Sequence, residues 1–295
     1  MFSEATAVVR GFLFLSWSLV AVIPYALLMV VRWRYREFGL FYWKVVTRIC
    51  RVRVRVQGAL ATERPVVVVS NHTSYMDIVV LGRLIPGVFV AKSEVGGWPV
   101  FGWMARLART VFVDRKRGST ARNKAEIEGR LAEGEPLILF PEGTSNDGNR
   151  VYRFKSALFS IAENPVILKG ERDPRVVTVQ PVSLAYTWVD GVPVGRAWRP
   201  IYAWYGDMDL APHLFRLLGF GTVTVDVIFH EPVLLSDFGS RKALSDHCHT
   251  VVARGVEKAL TGRLDELPIL ALPRATDLPP LSGSPKSGDG VVPVV

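Results

Sequence analysis

The stretch Val66–Leu81, VVVVSNHTSYMDIVVL, decides how the chain is read. Its four consecutive valines fit a strand buried on both faces, which has no need of polar alternation. From about Ser74 to Leu84 the apolar spacing becomes helical. A buried strand running into a helix is the unit of an open α/β sheet, whose crevice lies at the carboxyl ends of its strands. Asn71 and His72 stand at that end.

The same alternation continues outward. GVFVAK reads as a strand, Val95 to Ala108 as a helix and TVFVD as a short strand. Ser119 or Thr120 caps a helix that carries Ala121, Ile127 and Leu131 on one face and stops at Gly134. PLILF follows as a strand and RFKSALFSIAE as a helix. VVTVQPVSLAY and GTVTVDVIFH are strands, and a closing helix spans about Arg241 to Leu260. The expectation is a layered α/β/α domain with a mostly parallel mixed sheet over residues 51–265. A Pro-, Gly- and Ser-rich tail, expected to be disordered, takes up 266–295.

Residues 1–50 read differently. Between Arg10 and Arg32 lie 21 residues without a charge, GFLFLSWSLVAVIPYALLMVV, roughly 31 Å as a helix and enough to cross a bilayer. No small-residue cleavage site follows, and Pro24 leaves a spanning or a re-entrant arrangement open. Next comes RWRYREFGLFYWKVVTRICRVRVRV, eight cations against Glu37 alone, interleaved with aromatic residues. That mixture suits a membrane interface, accounts for much of the net charge of +9, and places this side in the cytoplasm. Nucleic acid is the rival partner for arginines among aromatics, but no nucleic-acid-binding signature supports it, so none is expected. Cys50 and Cys248, the two cysteines, lack any metal-ligand spacing, and no metal is expected.

The polar residues after the valine run carry the chemistry. Ser74 can cap the following helix, with Asp77 reaching back as in a capping box. That leaves His72 unexplained. Asp77 could instead accept the proton of one imidazole nitrogen, orienting the ring and leaving the other nitrogen as a base. LILFPEGTSNDG repeats the pattern, placing Glu142, Gly143, Thr144 and Ser145 after a second buried strand. Gly143 admits a close ligand, and Thr144 and Ser145 offer hydroxyl and amide donors. VFVDRKRGS brings Arg115 to the same edge as a cation for an anionic substrate. Nucleophile-elbow, Walker and dinucleotide-binding patterns are missing from the sequence.

These boxes resemble the lysophosphatidic acid acyltransferase family of glycerolipid acyltransferases: NHTSYMD its first, VFVDR its second, FPEGTS its third and the strand carrying Pro181 its fourth. The resemblance implies direct transfer of a fatty acyl group to the free hydroxyl of lysophosphatidic acid, giving phosphatidic acid. The donor would be a thioester, acyl-CoA or acyl-ACP, as co-substrate without a further cofactor. His72 would be the base and Asp77 its partner; Asn71, Arg115, Glu142, Gly143, Thr144, Ser145 and Pro181 would bind substrate, with the enzyme on the cytoplasmic face of the inner membrane. Two features depart from the pattern. FKSALF replaces the usual continuation of the third box, and WYGDMDLAPHLFRLLGFG resembles a bacterial subset linked to lyso-ornithine lipid, where Asp207, Asp209 and His213 either touch substrate or belong to a structural excursion. Acylation of lyso-ornithine lipid is therefore the alternative reaction, and a non-catalytic lipid-binding protein is the second alternative.

Overall fold

The computed structural model describes residues 2–98, 101–113 and 120–264. Helices α1 (Glu4–Val30) and α2 (Tyr35–Ile49) come first, then strands β1 (Val52–Gln57) and β2 (Val66–Ser70), helix α3 (Met76–Leu84), β3 (Val88–Lys92) and α4 (Phe101–Leu107). They are followed by β4 (Val111–Val113), α5 (Thr120–Ala132), β5 (Leu137–Leu139), a small ladder of β6 (Val166–Ile167) with β7 (Pro174–Arg175), and β8 (Thr178–Val189). The last elements are β9 (Val192–Pro193), α6 (Leu210–Gly219), β10 (Val223–Phe229) and α7 (Arg241–Leu260).

The main sheet has the order β1-β10-β8-β2-β5-β3-β4, with β9 paired to β8. β8, β2, β5, β3 and β4 are parallel, and β10 and β1 run against them. This is the mostly parallel mixed sheet expected. Val66 to Val69 are buried at the centre of the sheet. Val68, Ile138 and Leu184 pack on one face among residues of α1, α2, α3 and α6. Val67, Leu137 and Val179 pack on the other, with Leu131 of α5 and Leu244 and Val252 of α7.

Three elements differ from expectation. The helix expected from Val95 is a 3₁₀ turn, Ser93–Gly97, followed by the short α4; Trp98, which precedes a proline, is extended at ψ 135°. RFKSALFSIAE forms a 3₁₀ helix, Ser156–Ala162. It is pinned at one end by the Lys155 N–H on the Pro141 carbonyl and stopped by Asn164-Pro165, which leaves too little length for an α-helix. The arginine block is divided, since alternating Val and Arg make β1 an edge strand: Val52 is buried while Arg51, Arg53 and Arg55 stay exposed. Arg55 grips the buried Asp226 through two bonds of 2.6 and 2.7 Å.

The first fifty residues pack on the body. Gly82 of α3 makes room for Trp43 of α2, whose ring would lie 2.7 Å from an added Cβ. Arg36 reaches the buried Glu135 at 3.3 Å, and Arg109 joins it at the same distance, so Arg36 faces the protein and not lipid. Arg10 is only 7 % exposed and donates to the carbonyls of Leu218 and Phe220 at 2.8 and 2.6 Å, a cation on the carboxyl end of α6. Arg10→Met is expected to destabilise the protein by about 1.5–3 kcal/mol, the usual range for a charge-assisted bond, read as a lower melting temperature in detergent. The opposite side of α1 exposes Val8, Phe12, Leu15, Leu19, Ile23 and Leu27. The helix is long and apolar enough to cross a membrane. Residues 266–295, expected as a tail, lie outside the described residues, as does Arg115.

Candidate active site

β2 ends at Ser70, and the next two residues turn opposite ways. Asn71 points inward, its amide donating to the Leu184 carbonyl and accepting from the Leu184 N–H, both at 2.9 Å. This bidentate grip ties the first box to β8, so in the structure Asn71 acts as a brace. His72 faces the cleft and its side chain is 21 % exposed, whereas Asp77 is fully buried.

The Asp77 carboxylate is surrounded by donors. Its Oδ2 accepts from Thr73 N–H at 2.6 Å and Ser74 N–H at 2.9 Å and lies 2.8 Å from His72 Nδ1; its Oδ1 accepts from the Tyr186 hydroxyl at 2.7 Å. A carboxylate in this setting only accepts, so Nδ1 carries the imidazole proton and Nε2 keeps its lone pair. Among the described residues Nε2 has no hydrogen-bond partner. The Ser74 hydroxyl accepts from Met76 N–H at 3.4 Å. Capping and imidazole orientation are therefore one arrangement: the first turn of α3 carries Asp77 back to both. The Phe140 ring stacks on the imidazole at 4.2 Å and 17°.

The third box sits on the same side of the sheet because β5 runs parallel to β2. Glu142 is the joint between the boxes. Its Oε1 accepts from His72 N–H at 2.7 Å, and its Oε2 accepts from Asn146 Nδ2 at 2.7 Å and Tyr152 N–H at 2.8 Å. The Asn146 N–H returns a bond to the His72 carbonyl at 3.1 Å. Burial pushes the Glu142 carboxyl up to about 7 while these donors pull it down. Since every partner donates, the pocket suits the carboxylate. At 2 % exposure Glu142 is a strut between the two boxes.

Gly143 has φ +69°, and the Lys155 ammonium occupies the space where a Cβ would stand, 2.4 Å from it. Thr144 is exposed beside it. The Ser145 hydroxyl donates to the Trp204 carbonyl, tying the third box to the segment after the 3₁₀ turn Arg199–Ile201. Pro181 is buried within β8 beside Val69. It stands between the Val179–Val233 bridge and its own carbonyl bond from His230 N–H, where β10 has ended and no donor is missed.

The departing segment folds over the cleft. Trp204 N–H donates to the Thr73 carbonyl at 2.9 Å, and its indole meets Tyr75 and Trp98 edge-on. His213 Nδ1 lies 2.9 Å from the Tyr75 hydroxyl, and burial lowers its pKa. Asp207 and Asp209 remain exposed. Behind Tyr75 and Met76 opens a mainly apolar cavity of about 260 Å³, lined also by Phe14 of α1, Tyr42 of α2, Phe89 and Met104. Phe89, in the cavity lining, stacks on Phe140, which stacks on His72, so these two rings connect the cavity wall to the imidazole.

Tyr186, Phe140, Asn146 and Trp204 escaped the sequence reading. Only Tyr186 left a signal there, since it shares the period-two face of Val182 and Leu184 on its strand.

The site thus holds an imidazole with a free Nε2, two loops joined at one carboxylate and a mainly apolar cavity nearby. A lyso-ornithine lipid O-acyltransferase of Brucella abortus is 43 % identical over 257 residues, 87 % of this chain and 95 % of that protein. The chain belongs to the acyltransferase family. Its family model, described as Acyltransferase, matches residues 51–185. This acyltransferase is also 34 % identical to the 1-acyl-sn-glycerol-3-phosphate acyltransferase of Neisseria meningitidis over 64 % of the chain and 69 % of that protein. The crystal structure of the 1-acyl-sn-glycerophosphate acyltransferase of Thermotoga maritima shares the fold, with a TM-score of 0.57 at 24 % identity over 85 % of this chain and 95 % of the other.

Proposed function

We propose that this acyltransferase esterifies the free hydroxyl of a lyso-ornithine-type lipid with the acyl group of a thioester, carried on coenzyme A or acyl carrier protein. The observation that carries the acceptor is the 43 % identity to the Brucella abortus lyso-ornithine lipid O-acyltransferase across 95 % of its length. Relatives in Rhizobium meliloti and Rhodobacter capsulatus, at 42 and 37 % identity, bear the same description. The lysophosphatidic acid acceptor suggested by the motif resemblance is the second reading, supported by the Neisseria relative at 34 %.

His72 is the base. Nε2 takes the proton of the acceptor hydroxyl as its oxygen attacks the thioester carbonyl; the tetrahedral species expels the thiolate, which recovers that proton from the imidazolium. The ester C–O bond forms and the C–S bond breaks, with no acyl-enzyme. Asp77 fixes the ring and stabilises the imidazolium, and Glu142 holds the third box against the first. The donor or acceptor chain lies in the apolar cavity. Gly143, Thr144 and Lys155 face the polar end of the acceptor.

α1 carries the enzyme on the membrane that supplies its acceptor, its exposed apolar side joined by Trp33, Phe41, Trp103 and Phe215. The basic residues around Arg34 and Arg48 support a catalytic body on the cytoplasmic side of the inner membrane. The test pairs each acceptor with the same acyl thioester and detects product by mass spectrometry. kcat/KM for lyso-ornithine lipid is expected to exceed that for lysophosphatidic acid by at least about tenfold, which about 1.4 kcal/mol of differential transition-state binding gives. Equal or reversed preference rejects the assigned acceptor.

A further inference from the structure

We infer that Tyr186 is a positioning residue of the base assembly, so that the proton-accepting unit is a Tyr186–Asp77–His72 chain rather than a histidine–aspartate pair. This rests on the reading of His72 as the base. Tyr186 lies on β8, outside the three polar boxes, and its hydroxyl donates to Asp77 Oδ1 at 2.7 Å. Among the described residues no other donor reaches that oxygen, whereas Oδ2 serves Thr73, Ser74 and His72. The phenol therefore sets the rotation of the carboxylate about its own axis, and with it the line from Oδ2 to Nδ1.

The phenol itself is held firmly. Tyr186 is 4 % exposed and its ring stacks on Tyr202 at 6.0 Å and 9°. Two residues earlier, the Leu184 backbone holds Asn71. One short piece of β8 thus clamps both ends of the first box. Burial and the neighbouring Asp77 charge raise the phenol's pKa, so it stays a donor at any pH at which the enzyme works. As a donor it also withdraws charge from Asp77 and moderates how tightly the pair holds the imidazolium proton.

The test is the pH dependence of kcat for Tyr186→Phe, with Tyr202→Phe as control, because the Tyr202 hydroxyl is buried without a partner among the described residues. Removing the Tyr186 donor leaves more negative charge on Asp77, which favours the protonated ring. The acid limb of the profile is expected to move to higher pH, and kcat to fall about 10- to 100-fold with KM little changed, as for other second-layer groups that orient a histidine. Site-specific 3-fluorotyrosine at 186 keeps the packing and strengthens the donor; it is expected to move the limb to lower pH, and covers the case in which the phenylalanine variant does not fold. Tyr202→Phe is expected to leave the limb in place.

A limb unmoved by both changes at Tyr186, or moved as far by Tyr202→Phe, overturns the inference. His72→Ala in the same assay separates this failure from failure of the parent reading: an active His72→Ala enzyme removes the base assignment itself.

Discussion

His72→Ala enzyme, folded and retained in the membrane fraction, is expected to lose acyl transfer by about 10²- to 10⁴-fold, the usual contribution of a positioned general base. The loss should fall on kcat, because His72 offers the acceptor a proton site and few binding contacts. The ring is partly exposed, held through Nδ1 and stacked on Phe140. Its removal leaves the Asp77 carboxylate with three of its four donors, so the fold survives and the comparison reports chemistry. Product formation from a radiolabelled acyl thioester, measured beside a thermal melt, checks both. Activity within a few-fold of the unmodified protein would mean that another group takes the proton.

The second large effect belongs to Asp77, and two substitutions divide its roles. Asp77→Ala leaves the N–H groups of Thr73 and Ser74 and the Tyr186 hydroxyl facing nothing, in a position with no access to water. Each buried unsatisfied donor costs about 1–3 kcal/mol, so this variant is expected to be both inactive and markedly less stable. Asp77→Asn behaves differently. Its carbonyl oxygen must take the Oδ2 place, since an amide NH₂ there would face three N–H donors; the NH₂ then meets the Tyr186 oxygen, which can accept. The tautomer of His72 is preserved while the negative charge is lost. A fall in kcat of roughly 10²-fold or more is expected, approaching the ~10⁴ seen where an aspartate-to-asparagine change also inverts the tautomer, with a smaller drop in melting temperature than for Asp77→Ala, since only the Tyr186 O–H loses its acceptor. Equal stability losses in the two variants would contradict the contact map drawn around this carboxylate.

Much of the site could be read from residue order alone because its chemistry is local. His72 and Asp77 are five positions apart, and one helical turn brings them together whatever the rest of the chain does. The third box was visible for a similar reason, as polar residues following a buried strand. Assigning roles within the boxes was harder. Glu142, Asn71 and Ser145 looked like ligand contacts by type, yet each spends its polar atoms on the protein: on His72 and Tyr152, on Leu184 and on Trp204. Their partners lie 10 to 113 residues away except for the nearby Asn146, so no local pattern could assign them.

The same division applies to the amino-terminal segment. Its length and lack of charge announce a membrane element, and the alternation of valine and arginine after Cys50 announces a strand once period two is given its weight. That Arg10 docks α1 onto the end of α6, or that Arg36 and Arg109 converge on Glu135, depends on where helices lie after the sheet has formed.

Order along the chain therefore determined the alternating α/β architecture, a first helix long and apolar enough to cross a membrane and the pairing of His72 with Asp77, since hydrophobic period and short-range turns encode each of them. Only the tertiary structure decided which polar side chains face the cleft and which are spent inside, and that Tyr186 stands behind Asp77. Such choices depend on long-range pairing of strands, where a donor and its acceptor meet only after loops remote in sequence have closed on one edge of the sheet.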